Sequence, residues 1–252
     1  MGALIFGVGG LHRLPFGSRR IRVLNAALDL GFRDFDVAPA YGNGLNELEL
    51  GRALASVRYD CRITTKFGIP IDLYGERHPS LFYVLRGAKK LVDRHYGSEY
   101  GRRIFSPEEM QKSLEGSLRR LRRDYVDDFM IHEPLVPLSR GDIGELSEKA
   151  ARLRQQGKIR RWGVAGPVSS MGTLIADPAI DVIQFPLEDL PATSGTQGKR
   201  RIAFGVYRRY KEAADGKAFT SFVKDVVDRN KGLDVIISTV FPATLQGFGG
   251  LF

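Results

Sequence analysis

Residues 106–132 read SPEEMQKSLEGSLRRLRRDYVDDFMIH. Ser106 is a preferred helix N-cap, the proline after it suits the first helical position, and Glu109 stands where a capping box places an acidic residue. A helix is therefore predicted from this point to about Arg123. The apolar residues of 127–131 then predict a strand. A helix that leads into a buried strand is the repeating unit of a parallel sheet covered by helices.

The same alternation of strand-like and helical segments extends along the chain. Helical spacing also marks residues 89–94, 145–156 and 219–230, and Asn46 opens a weaker helix start. A chain of 252 residues fits one (β/α)8 barrel or one large doubly wound domain. Eight parallel strands close into a barrel without edges, so we predict an α/β fold, a (β/α)8 TIM barrel, as a single domain over 1–252. The predicted strands are 5–8, 32–37, 62–65, 127–131, 161–164, 181–185, 202–206 and 234–238.

Two segments depart from an ideal barrel. Residues 70–103 form a long connection of mixed character after the third strand, and we expect it to shape the substrate pocket. Only about fourteen residues follow the eighth strand, too few for a full closing helix. A shortened C-terminus is therefore predicted, because either the barrel ends early or the natural chain is cut.

Composition narrows the class of protein. The one cysteine, Cys61, excludes an internal disulfide and favours a reducing, cytoplasmic location. No apolar run approaches the roughly 20 residues of a membrane span. The formal net charge of +9 fits an arginine-rich solvated surface, the phosphates of a cofactor, or nucleic acid. No nucleic-acid recognition motif accompanies the charge, so we predict no nucleic-acid partner and no membrane association.

Polar residues stand at the ends of three consecutive strands. Asp36 lies near the end of the second predicted strand, Lys66 follows the third, and His132 follows the fourth. Each alone is more often a cap, a solvated residue or a structural residue than a catalyst. The ends of neighbouring parallel strands share the rim where barrel active sites lie. Tyr41, in a loop five residues beyond Asp36, is expected to fold back over that rim.

These four residue types suit proton donation to a carbonyl oxygen. A phenol with a pKa near 10 is a weak acid at neutral pH, and a nearby cation lowers that pKa. Lys66 is the predicted cation, with Asp36 holding it in place and charged. His132 is predicted to hydrogen-bond and orient the carbonyl. The sequence therefore predicts an acid, Tyr41, aimed at an oxygen that gains negative charge as a hydride arrives.

Several motifs together resemble the aldo-keto reductase family. The resemblance implies a (β/α)8 barrel that reduces aldehydes and ketones with NADPH through an Asp-Tyr-Lys-His tetrad, here Asp36, Tyr41, Lys66 and His132. It extends to about Pro186. The motifs are Phe6-Gly7-Val8-Gly9-Gly10, Asp34-Phe35-Asp36-Val37-Ala38-Pro39-Ala40-Tyr41-Gly42, Asn46-Glu47-Leu48-Glu49-Leu50-Gly51, Ile63-Thr64-Thr65-Lys66-Phe67-Gly68, Tyr125-Val126-Asp127-Asp128-Phe129-Met130-Ile131-His132 and Gly157-Lys158-Ile159-Arg160-Arg161-Trp162-Gly163-Val164.

The chain departs from the family pattern around the nicotinamide. After the fifth strand the family has Ser-Asn, which holds the nicotinamide amide, whereas this chain has Ala165 and Gly166. Gln184 matches the family glutamine that contacts the same amide. Tyr207 is a loosely aligned counterpart of the family tyrosine that stacks on the nicotinamide.

The end of the eighth strand also departs from the family. There the family has Lys-Ser, then Arg and Glu-Asn, for the adenosine ribose and its 2′-phosphate. This chain offers Ser238, Thr239 and Thr244 for phosphate oxygens but no cation, so its cofactor is predicted as NADP or NAD, with a basic stretch at 199–209 as a possible substitute for the missing cation.

The glycines after the first strand suit either of two structures. Gly9 and Gly10 favour close approach of a cofactor or, equally, a tight turn. The histidines have no metal-ligand spacing with cysteines or carboxylates, and no metal site is predicted.

Three functions therefore remain open. The first is reduction of a small carbonyl compound, possibly a sugar, or the reverse alcohol oxidation. The second is a catalytically weak or inactive barrel that acts as a cofactor-sensing regulatory or scaffold protein. The third, nucleic-acid binding, rests on charge alone. The intact tetrad favours the first. Oligomeric state is not predicted.

Overall fold

The barrel is closed and wholly parallel. The computed structural model describes residues 2–72, 76–84, 103–135, 137–196, 198–213 and 216–249. Eight strands pair in chain order, and the first pairs with the last, so the predicted (β/α)8 architecture is confirmed. The strands are β1 (Leu4–Gly7), β2 (Asp34–Asp36), β3 (Arg62–Phe67), β4 (Val126–His132), β5 (Ile159–Ala165), β6 (Val182–Pro186), β7 (Arg200–Phe204) and β8 (Leu233–Ile237).

Two strands run further than their apolar residues indicate. β3 and β4 include Lys66 and His132, which were expected just after the strands. Backbone pairing does not depend on side-chain polarity: Lys66 pairs with Met130, and His132 pairs with Ala165. Both polar side chains are therefore held by regular strand geometry.

Helices cover the outside of the barrel. Five short 3-10 helices lie among the loops of the described residues as well. None of the described helices is long and apolar enough to cross a membrane. The helices described are α1 (Gly17–Asp29), α2 (Leu45–Ala53), α3 (Pro107–Leu121), α4 (Arg140–Gln155), α5 (Val168–Met171), α6 (Val206–Ala213), α7 (Phe219–Arg229) and α8 (Pro242–Leu245).

Helix predictions met mixed outcomes. α3 begins as predicted, because the Ser106 side chain accepts a hydrogen bond from the Glu109 backbone N–H at 3.2 Å. α4 begins earlier than predicted, at a capping box formed by Ser139 and Asp142. α7 matches its predicted segment, α1 was not predicted, and the segment 89–94 lies outside the described residues.

The predicted start of α2 was wrong. Its N-cap is Gly44, in a left-handed conformation, and Asn46 lies within the helix. Instead of capping, the Asn46 side-chain amide donates to the Val8 carbonyl at 2.7 Å. Asparagine is a favoured N-cap residue in general, but the side chain of Asn46 makes this tertiary hydrogen bond instead of a capping bond.

Side chains inside the barrel form layers. Alternate residues of a strand face the same side, so residues two apart point inward together. A middle layer is apolar and buried: Ile5, Met130, Ala165, Val182, Ile202 and Ile236. It separates an ionic layer near the strand starts from the polar residues at the strand ends.

The ionic layer is centred on Arg200. Its guanidinium pairs with Asp128, with Asp234 at 2.6 Å and with Asp34 at 3.5 Å. Arg161 pairs with the other oxygen of Asp128. These pairs tie β2, β4, β5, β7 and β8 together at the floor of the barrel.

Candidate active site

Asp36, Lys66 and Gln184 form one buried cluster at the strand ends. The Lys66 ammonium donates to Asp36 Oδ1 at 2.6 Å and to the Val37 carbonyl at 3.2 Å. The Gln184 amide donates to the same Asp36 oxygen at 2.9 Å. Lys66 is only 1% exposed, and its charge is balanced by the adjacent carboxylate. The Lys66 ammonium is therefore held in a fixed position by the Asp36 carboxylate.

Tyr41 closes over this cluster from the loop that follows β2. The Lys66 nitrogen lies 5.3 Å from the centre of the Tyr41 ring, and the His132 ring meets it edge-on at 5.6 Å. The structure therefore brings Asp36, Tyr41, Lys66 and His132 together. The backbone of Gly9 borders the same ring: a Cβ on Gly9 would lie 3.5 Å from Tyr41 Cε2.

Residues behind the Tyr41 loop hold it in place, and sequence reasoning missed what they do. Asn46 ties the helix after the loop to the backbone of Val8. Glu47, fully buried, pairs with Arg120 of α3 at 2.7 Å and accepts a hydrogen bond from Thr65 at 2.7 Å. From the sequence, Asn46 and Glu47 were assigned only to a helix start and to a family motif, because the sequence does not reveal that both side chains are buried.

Electrostatics around Tyr41 differ in part from the expectation. Burial raises the pKa of the Tyr41 hydroxyl, while the charge and hydrogen bond of Lys66 lower it and Asp36 raises it. The net pKa lies above its ordinary value, so the expected net lowering is wrong. The reason is desolvation, which disfavours the phenolate. Tyr41 therefore carries its proton at neutral pH.

Lys66 remains charged in spite of its burial. Desolvation lowers the pKa of Lys66, but Asp36 and Tyr41 together outweigh it, and the pKa is raised. A permanent ammonium beside Tyr41 is thus part of the site.

His132 is held neutral. Burial pushes the pKa of His132 well below 6.5, and the charges of Lys66 and Arg103 push it the same way. A neutral imidazole has one N–H donor and one acceptor nitrogen. His132 can therefore donate a hydrogen bond without carrying a charge.

Gln184 offers a test of whether a nicotinamide fits. Its Oε1 is buried and has no hydrogen-bond partner among the described residues. An unsatisfied buried acceptor is costly, and a ligand N–H such as that of a carboxamide would satisfy it. On this observation the residues present fit the group.

The neighbouring strand end disfavours a side chain at Gly166. Gly166 has φ +154°, and a Cβ there would lie 3.2 Å from Glu133 Cα. Its N–H donates to the Gln184 carbonyl at 2.9 Å. Neither Ala165 nor Gly166 offers a side-chain hydrogen-bonding group.

The predicted phosphate-binding residues line the end of β8. Ser238 is exposed beside the backbone of Gly7, and Gly10 faces Val240, where a Cβ would meet Cγ1 at 3.2 Å. Thr239 Oγ1 accepts a hydrogen bond from the Phe241 N–H at 3.0 Å, and Thr244 lies in α8. Residues 238–249 contain no charged side chain.

Tyr207 lies in the first turn of α6 and is 48% exposed. Its ring meets Phe219 of α7 edge-on at 5.2 Å and also contacts Tyr210 and Lys211. The contacts described for Tyr207 thus join α6 to α7.

The chain is similar to proteins of one known family. Residues 3–186 match the model of the Aldo/keto reductase family. The chain is 31% identical over 169 residues to an aldo-keto reductase of Bacillus subtilis, YhdN, covering 66% of this chain and 43% of that protein. It is 34% identical over 136 residues to an NADH-specific methylglyoxal reductase of Escherichia coli, covering 54% and 37%.

The chain therefore spans less than half the length of these two relatives. Among solved structures, it superposes on an aldo-keto reductase of Bacillus halodurans with a TM-score of 0.71 and 20% identity, over 97% of this chain and 85% of the other. At that identity the likeness concerns the fold.

Proposed function

Because this chain belongs to the aldo/keto reductase family, we propose that it reduces an aldehyde or ketone, a sugar among the candidates, or catalyses the reverse alcohol oxidation. The observation that carries the proposal is the convergence of Tyr41, Lys66 and His132 around one point at the strand ends, with Asp36 behind the ammonium. A protonated phenol, a fixed cation and a neutral donor are what proton transfer to a carbonyl oxygen requires.

The proposed cofactor is NADH or NADPH. When bound, it would supply the hydride that the carbonyl carbon accepts. We assign Gln184 Oε1 to its carboxamide, since that oxygen is buried and lacks a donor among the described residues. The hydroxyl groups of Ser238, Thr239 and Thr244 are assigned to phosphate oxygens. The small Gly9 and Gly10 leave their backbone accessible to it, and Tyr207 is the candidate to stack on its ring.

Tyr41 is the proposed general acid. The carbonyl oxygen takes the hydroxyl proton as the O–H bond breaks, and a phenolate is left beside Lys66. The ammonium stabilises that phenolate, because an opposite charge within hydrogen-bonding range favours the ionised form. Asp36 keeps the ammonium in position through the 2.6 Å hydrogen bond. In the reverse direction the same groups remove the proton of an alcohol.

His132 is the proposed orienting residue. Its neutral imidazole donates a hydrogen bond to the carbonyl oxygen without adding a charge that would compete with Lys66. The edge-on contact of the His132 and Tyr41 rings, with centroids 5.6 Å apart, supports the proposal that both side chains donate to the same oxygen.

The second candidate is a cofactor-sensing regulatory or scaffold barrel. Two features favour it: Ala165 and Gly166 offer no side chains to the nicotinamide, and residues 238–249 have no cation for phosphates. Weak cofactor binding with no turnover would distinguish it from the reductase.

Fluorescence titration with NADH and NADPH is the first experiment. A charge-assisted hydrogen bond to the 2′-phosphate would strengthen NADPH binding by about 1.5–3 kcal/mol. Because residues 238–249 offer no cation for such a bond, we expect the dissociation constants for NADH and NADPH to lie within about tenfold of each other. NADPH binding more than about tenfold tighter would show a phosphate-binding cation elsewhere in the chain.

An absorbance screen with sugars, aldehydes and ketones follows. Oxidation of the reduced cofactor by at least one carbonyl class supports the reductase. Cofactor binding without turnover across all three classes supports the regulatory barrel.

A further inference from the structure

Asn46 is a buried polar residue next to the candidate site, and the proposed mechanism does not use it. It is the second residue of α2 and is 0% exposed. Its side-chain amide donates to the Val8 carbonyl at 2.7 Å and, in a longer hydrogen bond, to the Gly9 carbonyl at 3.4 Å. One amide therefore holds two successive carbonyls of the turn that follows β1.

The turn that Asn46 holds is the surface on which the Tyr41 ring rests. A Cβ added to Gly9 would lie 3.5 Å from Tyr41 Cε2 and 3.7 Å from Cζ, the carbon that bears the hydroxyl, so the ring packs directly on the Gly9 backbone. The Val8 N–H donates to the Asp36 carbonyl at 3.0 Å, which ties the same turn to the end of β2. A shift of this turn would therefore move the surface that positions the phenol.

Asn46 also contacts the loop that carries Tyr41. Its backbone N–H donates to the Tyr41 carbonyl at 3.4 Å. Its Oδ1 lies against the next residue of the loop, because a Cβ on Gly42 would be 3.2 Å from that oxygen. Asn46 thus contacts both the loop that carries the tyrosine and the turn on which the ring packs, so it sets the distance between them.

The side-chain oxygen of Asn46 argues against a role in stability alone. Oδ1 is buried and accepts no hydrogen bond from the part of the chain that the structure describes. An unsatisfied buried acceptor costs stability. Local violations of this kind are expected at functional sites, where another requirement decides the residue.

We propose that Asn46 is a positioning residue for Tyr41, which fixes the turn at Val8 and Gly9 so that the phenol hydroxyl points at the substrate carbonyl oxygen. The inference rests on the proposed reductase function and adds to it a residue that acts only through Tyr41. Proton transfer is sensitive to such positioning, since a misplacement of about 1 Å can cost about 100-fold in rate.

Asn46→Ala tests the role with a carbonyl compound that the wild type reduces. We expect kcat to fall at least about tenfold while KM stays within about threefold, because the loss affects the transition state and not substrate binding. The solvent deuterium isotope effect on kcat should rise, since a misplaced acid makes proton transfer more rate-limiting. A smaller folded fraction would lower kcat without changing the isotope effect.

Asn230→Ala is the matched control. The Asn230 amide donates to the Val226 carbonyl at 2.8 Å, the same type of bond, just before β8 starts at the opposite end of the barrel. This variant should keep the kcat, KM and isotope effect of the wild type. Asn46→Ser replaces Asn46→Ala if circular dichroism shows that the latter does not fold. Equal kcat in the Asn46 and Asn230 variants, or a loss with an unchanged isotope effect, would overturn the inference.

Fluorine NMR separates this inference from the proposed function, because it needs no turnover. The Tyr41 resonance of fluorotyrosine-labelled protein is identified by its absence in Tyr41→Phe. Asn46→Ala should shift this resonance and Asn230→Ala should leave it in place, even if no carbonyl compound is reduced. An unshifted Tyr41 resonance in Asn46→Ala would contradict the positioning role.

Discussion

A histidine kept neutral by its surroundings links the chemistry of the site to its stability. His132 is 4% exposed, and its pKa is well below 6.5 because of burial and of the charges of Lys66 and Arg103. Below about pH 6.5 the unfolded chain binds a proton at this position that the folded chain excludes. The free energy of unfolding therefore falls as the pH falls through this window.

The pH dependence of the free energy of unfolding should differ between the wild type and His132→Gln. Between about pH 7.5 and 5.5 the wild type should lose up to about 1.4 kcal/mol more stability than the variant, which has no proton to bind there. Urea unfolding at a series of pH values measures it. His78→Gln, at an exposed histidine, is the control, and the same loss in wild type and His132→Gln would contradict the buried neutral state.

Among the elements, one buried ion pair joins α2, the helix after the Tyr41 loop, to α3. Glu47 in α2 and Arg120 in α3 pair at 2.7 Å, and Thr65, the neighbour of Lys66 in β3, donates to the same Glu47 carboxylate. The Glu47 side chain is 0% exposed and that of Arg120 is 5% exposed. Removing one partner leaves an uncompensated buried charge.

Arg120→Met should therefore lower the free energy of unfolding by about 3–5 kcal/mol. The exposed Arg152–Glu148 pair of α4, at 3.9 Å, provides the control, since Arg152→Met should cost at most about 1 kcal/mol. Denaturant unfolding measures both. Equal effects would show that the buried pair does not hold these elements.

The sequence predicted the helices and strands more completely than it predicted the contacts that hold them together. Apolar runs located all eight strands, and the Ser106 cap located α3, because both depend on local chemistry. Asn46 was assigned to a helix start because nothing local reveals its bond to Val8, 38 residues away. Burial of Tyr41 was equally invisible, so desolvation was omitted from its pKa. The sequence also did not single out Arg103, which lowers the pKa of His132, within the long segment 70–103.

At the scale of the whole molecule, Arg200 connects distant parts of the chain. Its partners Asp234, Asp128 and Asp34 lie 34, 72 and 166 residues away. Burial raises the pKa of Asp34, while Arg200 and Arg62 lower it and the other carboxylates raise it again. The sequence predicted that the barrel closes, but such long-range pairings required the register of the closed sheet.

Arg200→Met should destabilise the barrel by about 3–5 kcal/mol at pH 7.5, since three carboxylates lose a shared cation. The cost should shrink as the pH falls toward about 4, because protonation of the carboxylates relieves their repulsion. Thermal unfolding at both pH values is the measurement. Arg209→Met, from an exposed pair in α6, is the control. A cost that does not depend on pH would contradict the assigned network.

We propose that Tyr41 gives its proton to a carbonyl oxygen, and the Tyr41→Phe variant is the sharpest test of that role. The substitution removes the hydroxyl while keeping the ring that meets His132 and Gly9. With a carbonyl compound that the wild type reduces, we expect turnover to fall at least about 100-fold, the usual worth of a general acid, while the dissociation constant for NADH stays nearly unchanged. Turnover equal to that of the wild type would show that Tyr41 is not the proton donor.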